Sequence, residues 1–263
     1  MIQAAGHGFT LERRPVEIPP DAEVLFDDTA RVGARPCRVR SLSAPGRDLL
    51  EIAGAGTFAL PHGANRFEVD PEPGAGDAVL EEALLGPVLT LGLARRGVFV
   101  LHASAVLLNG GVVGFLGESG AGKSTLARLL AAEGLPRVAD DLLAIDATPS
   151  ALPHFPQLKL DATEMAAISA LEPRYPLRAL YLLSFHPVVA VSVLYGATPA
   201  ITLIEQTVGG KLFDNELMTA SFAFAVQLAT QVPVRRLRLP QEMTVGPKVA
   251  ELLAELSPKI PTF

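Results

Sequence analysis

The 263-residue chain has no tryptophan, three tyrosines and one cysteine, Cys37. A single cysteine excludes an intrachain disulfide and suits a reducing compartment. Aromatic residues make up only 6%, so a packed core must rest on Leu, Val, Ala and Ile, and an apolar fraction of 49% supplies enough of them. Charge is sparse as well, at 19%, with a net value of −6 that gives no general attraction to nucleic acid or to an anionic membrane. Arg235, Arg236 and Arg238 form a short basic cluster that reads as a solvated strand edge. Long apolar runs are missing too. The most apolar stretch, Ala83 to Ala94, is broken by Gly86, Pro87 and Gly92 and is too short to span a bilayer. The opening MIQAAGHGFTLERR lacks the basic start and apolar stretch of a signal peptide. These absences predict a cytoplasmic protein with neither a nucleic-acid nor a membrane partner.

Two regions follow from the punctuation of the chain. Up to residue 76, short apolar runs such as Glu23–Phe26, Leu49–Ile52 and Arg66–Val69 alternate with turn residues at Asp27-Asp28, Pro45-Gly46 and Pro61-His62-Gly63. This is the pattern of a small β-rich unit, 1–76, closed by the Pro71–Gly76 linker. The second region, 77–263, opens with a helical pattern from Asp77 to Arg96, divided at Pro87 and stopped by Gly97. Val98–His102 and Ala105–Leu108 read as strands, Asn109-Gly110-Gly111 as a hairpin turn, and Val112–Leu116 as the returning strand. A helix is predicted from Lys123 to Glu133, ending at Gly134, and a strand over Arg137–Ile145. Later, Leu177–Ser184, Val188–Val193 and Val234–Leu239 read as strands, and Leu217–Thr230 and Lys248–Leu256 as helices, with Pro258 and Pro261 ending the last.

Between the returning strand and the next helix lies Gly117-Glu118-Ser119-Gly120-Ala121-Gly122-Lys123-Ser124, which fits G-x-x-x-x-G-K-[ST] at every fixed position. Glycines let the backbone curl so that N–H groups converge on phosphate oxygens, and the following helix offers its positive end to the same anion. Lys123 is placed to reach the β- and γ-phosphates and Ser124 to ligate Mg²⁺. The nucleotide-contact segment runs from Gly117 through Thr125, with Glu118 inside the loop without being a phosphate ligand. The next strand carries Asp140-Asp141. A carboxylate there can face the metal, and a second can take a proton from an attacking hydroxyl. In a regular strand the two would point to opposite faces, so both reach one site only through a local bulge or twist. Lys159 is a candidate for an additional phosphate contact. His154 and His186 neighbour prolines and read as loop residues.

His102 stands fifteen positions before Gly117, and Ala139-Asp140-Asp141 follows the loop helix and its Gly134 stop. This forty-residue stretch resembles the catalytic core of HPr kinase/phosphorylase and its relatives. The resemblance implies an α/β fold of the HPr-kinase type, shared with ATP-dependent phosphoenolpyruvate carboxykinases. It implies ATP and Mg²⁺ as cofactors, Asp140 as general base for a seryl hydroxyl, Asp141 as the Mg²⁺ partner with Ser124, and His102 beside Asp140. Two departures stand out. Thr125 follows the loop serine where HPr enzymes carry glutamate, and no Gly-rich, arginine-bearing second signature follows the Asp-Asp strand. The segments Leu101–Val106 and Gly122–Ala127 are similar instead to divergent relatives, including kinases of lasso-peptide precursors. The expected acceptor is a serine of a peptide or small protein, possession of a base argues against a pure nucleotide-responsive binder, and a small-metabolite kinase would carry the same nucleotide side. Relatives of this kind are often oligomeric, so the resemblance allows a homo-oligomer.

Overall fold

The computed structural model describes residues 8–241, apart from Ala34 and Leu158. The helix expected over Lys248–Leu256 and the prolines after it lie outside the described residues. The fold is mixed α/β with two sheets, and the described residues group into two compact units: 8–98 with 209–220, and 99–208 with 221–241.

The first unit is built on a six-stranded sheet in the order β1-β6-β5-β4-β3-β2. Its strands are β1 (Thr10–Arg13), β2 (Glu23–Val32), β3 (Arg35–Ala44), β4 (Arg47–Ile52), β5 (Gly56–Pro61) and β6 (Arg66–Pro71). From β2 to β6 the sheet is an antiparallel meander, and β1 joins β6 in parallel. Asp27 and Asp28 lie inside β2, opposite Arg40 and Val39, and are not a turn. Arg38 and Arg40 on β3 pair with the Asp27 carboxylate, and cross-strand charge of this kind stabilises a polar pair that sequence reads as a break. Pro45-Gly46 is a turn as expected, between β3 and β4.

Helices α1 (Asp77–Ala83) and α2 (Leu89–Ala94) belong to the same unit and are joined by a wide turn over Leu84–Val88. Pro87 cannot donate a backbone hydrogen bond, and the helical path breaks at Gly86, whose φ/ψ of −96°/−107° is not helical. Gly92 of α2 lies against the Phe67 ring, which stacks on Phe9 with centroids 4.2 Å apart. Arg95 closes this unit electrostatically: its guanidinium, 13% exposed, bonds Asp48 at 2.6 and 2.8 Å and also reaches Asp214 and Glu216.

The second unit carries a seven-stranded sheet in the order β10-β9-β7-β8-β11-β13-β12. These are β7 (Phe99–Leu108), β8 (Gly111–Leu116), β9 (Arg137–Ile145), β10 (Ser150–Ala151), β11 (Tyr175–Phe185), β12 (Ala190–Val193) and β13 (Val234–Leu239). The segments read as two strands, Val98–His102 and Ala105–Leu108, form the single strand β7, because Ala103 and Ser104 pair with Asp141 and Asp140 and carry the ladder through. Asn109 and Gly110 both have positive φ, 50° and 71°, as a two-residue hairpin turn requires. Strands β8, β11 and β13 are parallel, so their carboxyl ends emerge on one side, where ligands of such sheets bind. β13 lies between β11 and β12, so its three arginines are half-buried on an internal strand instead of a solvated edge.

Helix α3 (Lys123–Ala132) covers one face, its Leu126, Ala127 and Leu130 packing with Val106, Phe115 and Tyr181. On the other face Leu203 of α5 (Thr198–Glu205) and Ala225 and Leu228 of α6 (Asn215–Gln231) pack with Leu101, Leu180 and Val234. A further helix, α4 (Ala162–Ser169), follows β10. No helix of the described residues is long and apolar enough to cross a membrane.

Candidate nucleotide and phosphoryl-transfer site

The site lies wholly in the second unit, where β8 leaves the sheet. Its loop takes the backbone that the glycines permit: Gly117, Gly120 and Gly122 have φ of 143°, 86° and 90°. A Cβ on Gly117 would stand 3.1 Å from that of Ala121, so a side chain there would press the loop open. Gly122 caps α3, and the helix starts at Lys123, directing its first N–H groups into the loop. Lys123 is 7% exposed, and its Nζ donates to the carbonyls of Gly117 at 2.7 Å and Glu118 at 3.0 Å. Burial holds its pKa below the usual lysine value, against the nearby Asp141 and Asp140 carboxylates, with the Lys159 charge lowering it further.

The loop is fastened to β9 through one carboxylate. Ser124 Oγ donates to Asp140 Oδ1 at 2.6 Å, and Ser104 Oγ of β7 donates to the same oxygen at 2.8 Å. Arg137 Nη1 donates to Oδ2 at 3.1 Å, and the Asp140 backbone N–H donates to Gln157 Oε1 at 2.9 Å. Asp140 is 1% exposed, so every oxygen facing is set by these partners. Arg137 is itself buried and bonds Glu164, which closes a capping box with Asp161 at the start of α4.

Asp141 has a different environment. By alternation it would share the face of Ala139 and Leu143, away from α3. Its φ of 98° turns the backbone instead, so both adjacent carboxylates reach the side of the sheet that carries His102 and Ser104. His102 Nε2 lies 2.9 Å from Asp141 Oδ1, and Lys159 Nζ lies 2.9 Å from the same oxygen. The histidine therefore sits on Asp141 and not on Asp140, where the family resemblance had put it. Burial alone would raise the Asp141 pKa, but hydrogen bonds from His102 and Lys159, with their charges, bring it down to about 2. With its side chain 34% exposed, Asp141 is the open member of the pair.

Four contacts were not foreseen: Ser104, Arg137, Gln157 and Glu164. Ser104 follows His102 by two positions and so shares its strand face. Arg137 precedes Asp140 by three residues, a spacing that carries no signal in a strand. Gln157 and Glu164 come from a later segment that sequence patterns do not tie to β9. Gln157 grips β9 twice, accepting from Asp140 N–H and donating through Nε2 to the Leu142 carbonyl at 2.7 Å.

Among the described residues, no group of three or more His, Cys, Asp and Glu side chains could hold a metal ion. The donors present are the Ser124 hydroxyl, which Asp140 holds by accepting its hydrogen bond, and the open carboxylate of Asp141. That set suits Mg²⁺, which takes few protein ligands and completes its shell with phosphate oxygens and water. Glu118 within the loop and Thr125 just after it are both exposed.

No protein-family model and no curated protein matches the chain. Among solved structures it is similar to the HPr(Ser) kinase/phosphatase from Coxiella burnetii. The TM-score is 0.29 and the sequence identity 13%, over 60% of this chain and 87% of that one. The likeness is a distant one of structure.

Proposed function

We propose that the chain is an ATP- and Mg²⁺-dependent kinase that transfers the γ-phosphoryl group to a serine hydroxyl of a peptide or small protein. The observation that carries this reading is the unequal state of two adjacent carboxylates beside a phosphate loop. Asp140 is buried and saturated by Ser124, Ser104 and Arg137; Asp141 stands open and ionised against His102. A protein that only binds nucleotide has no use for the second.

The loop N–H groups and Lys123 hold the triphosphate. Ser124 would hold the metal, with Asp140 fixing the serine by accepting its hydroxyl hydrogen bond, and Mg²⁺ when bound would neutralise phosphate charge. Asp141 takes the proton of the acceptor hydroxyl, and His102 orients the carboxylate. This division gives the base role to Asp141, where the family resemblance implies Asp140. It is supported by access: a carboxylate 1% exposed with every oxygen engaged cannot meet an incoming hydroxyl, whereas one 34% exposed can.

The test is a transfer assay with γ-labelled ATP and Mg²⁺ against serine peptides, small carrier proteins and hydroxyl metabolites, read by mass spectrometry. Phosphoserine formation by the wild-type chain, lost in D141N, supports the reading. Label only on metabolites, or ATP binding with no transfer to any acceptor, overturns it.

A further inference from the structure

We infer that Lys159 is a second phosphate-binding lysine, held on Asp141 until a triphosphate arrives and then transferred to the γ-phosphoryl oxygens. The inference rests on the nucleotide site proposed above and adds a residue to it.

Two features set Lys159 apart from an ordinary surface lysine. First, its segment is fixed to β9 on both sides. Gln157, two residues before it, is 6% exposed and bonds the backbone on either side of Asp141, at Asp140 N–H and the Leu142 carbonyl. Glu164, five residues after it, is tied through Arg137 to Asp140. Second, the ammonium group is 2.9 Å from the carboxylate that faces the acceptor side, on the same oxygen as His102. Lys159 is thus 57% exposed on the open side of Asp141, whereas Lys123 is buried in the loop. The γ-phosphoryl group of a nucleotide held by Lys123 would bring a denser negative charge into this space than one carboxylate carries. A flexible four-carbon stem lets the ammonium group follow it.

The consequence is a coupled exchange. While paired with Lys159, Asp141 Oδ1 is already engaged. As Lys159 moves to the phosphate, Asp141 is released to the hydroxyl. The acceptor oxygen then bonds the γ-phosphorus, the bond from that phosphorus to the β,γ-bridging oxygen breaks, and the electron pair leaves on the diphosphate. The hydroxyl proton passes to Asp141, and Lys159 offsets charge on the transferred oxygens.

The experiment is amine-reactive footprinting of the full chain with Mg²⁺ and either the β,γ-imido triphosphate analogue or ADP, read by peptide mass spectrometry. Binding of both nucleotides is first established by calorimetry. Only the triphosphate is expected to protect Lys159, by about 5-fold or more. Equal labelling of Lys159 with the two bound nucleotides overturns the inference, while failure of both to bind the wild-type chain overturns the nucleotide site itself. The companion measurement is nucleotide affinity of K159M and K159R. K159M should bind the triphosphate about 10-fold more weakly than wild type with ADP affinity unchanged, as loss of one charged hydrogen bond implies, and K159R should recover part of the loss. An equal loss for both nucleotides in K159M assigns Lys159 a structural role and overturns the inference.

Discussion

Ser124 and Asp140 are joined by a 2.6 Å hydrogen bond from the loop hydroxyl to a carboxylate sixteen residues later. That bond makes the phosphate loop and strand β9 one assembly, and it separates the tasks of the two aspartates. D140N should therefore act mainly on stability and D141N mainly on chemistry. Removing the Asp140 charge leaves Arg137 buried with a lone partner in Glu164, at a cost of about 3 kcal/mol. D141N, at a half-open position, should cost less than about 1 kcal/mol and lower turnover by about 100-fold or more. Urea unfolding and single-turnover rates on both variants measure the split. Full transfer activity in a D141N protein that binds ATP would remove Asp141 from the base role.

His102 should be visible in the pH dependence of the rate. Its hydrogen bond is among the interactions that bring the Asp141 pKa down to about 2 in spite of burial. Without that donor the pKa rises, and the carboxylate accepts a proton from solvent at higher pH. H102A is thus expected to move the acid limb of the pH–rate profile upward, whereas wild type stays flat to the lowest pH at which it is folded. An unmoved limb would separate the histidine from the base.

Stability should fall on acidification in a defined window. Asp141 is lowered from 3.8 to about 2, and Asp214 is lowered as well, where the Leu217 N–H and Arg95 outweigh burial. A depressed folded-state pKa means that folding favours the ionised form. The stabilisation is complete above the unfolded value near 3.8 and disappears as pH falls from there towards 2. The urea midpoint should be level from neutral pH to about 5 and drop below about 4, with a smaller drop in D141N.

Packing in the first unit offers a control outside the candidate site. A Cβ at Gly92 would meet the Phe67 ring at 2.6 and 2.8 Å, and that ring is fully buried and stacked on Phe9. G92A removes a helix-destabilising glycine and yet is expected to lower stability by about 1–3 kcal/mol through overpacking. Thermal unfolding reads this directly, and a gain in stability would show that the ring has room to move.

Much of the second sheet was legible because its signals are local. The Asn109-Gly110 turn, the glycines of the phosphate loop and the Gly134 stop each act through their own backbone torsions, and the strands beside them follow. The first sheet was harder. Asp27 and Asp28 read as a turn because their stabilising arginines lie on the neighbouring strand. The arginines of β13 read as an edge because nothing nearby announces β12 as their cover. In the site, the residue types were readable and their pairing was not. Which aspartate receives His102 is decided by one backbone angle at Asp141, and composition and spacing carry no trace of it.

The tie from Ser124 through Asp140, Arg137 and Glu164 has a consequence for local motion. Helix α4 has eight residues and buries only Ile168, too little to persist by itself. Its first turn is held by the same charges that hold the loop, so the two form one cooperative opening unit. Amide hydrogen exchange at Glu164 and Met165 should then report on the phosphate loop some forty residues earlier, slowing when the loop is occupied and quickening in D140N while the rest of the sheet stays protected.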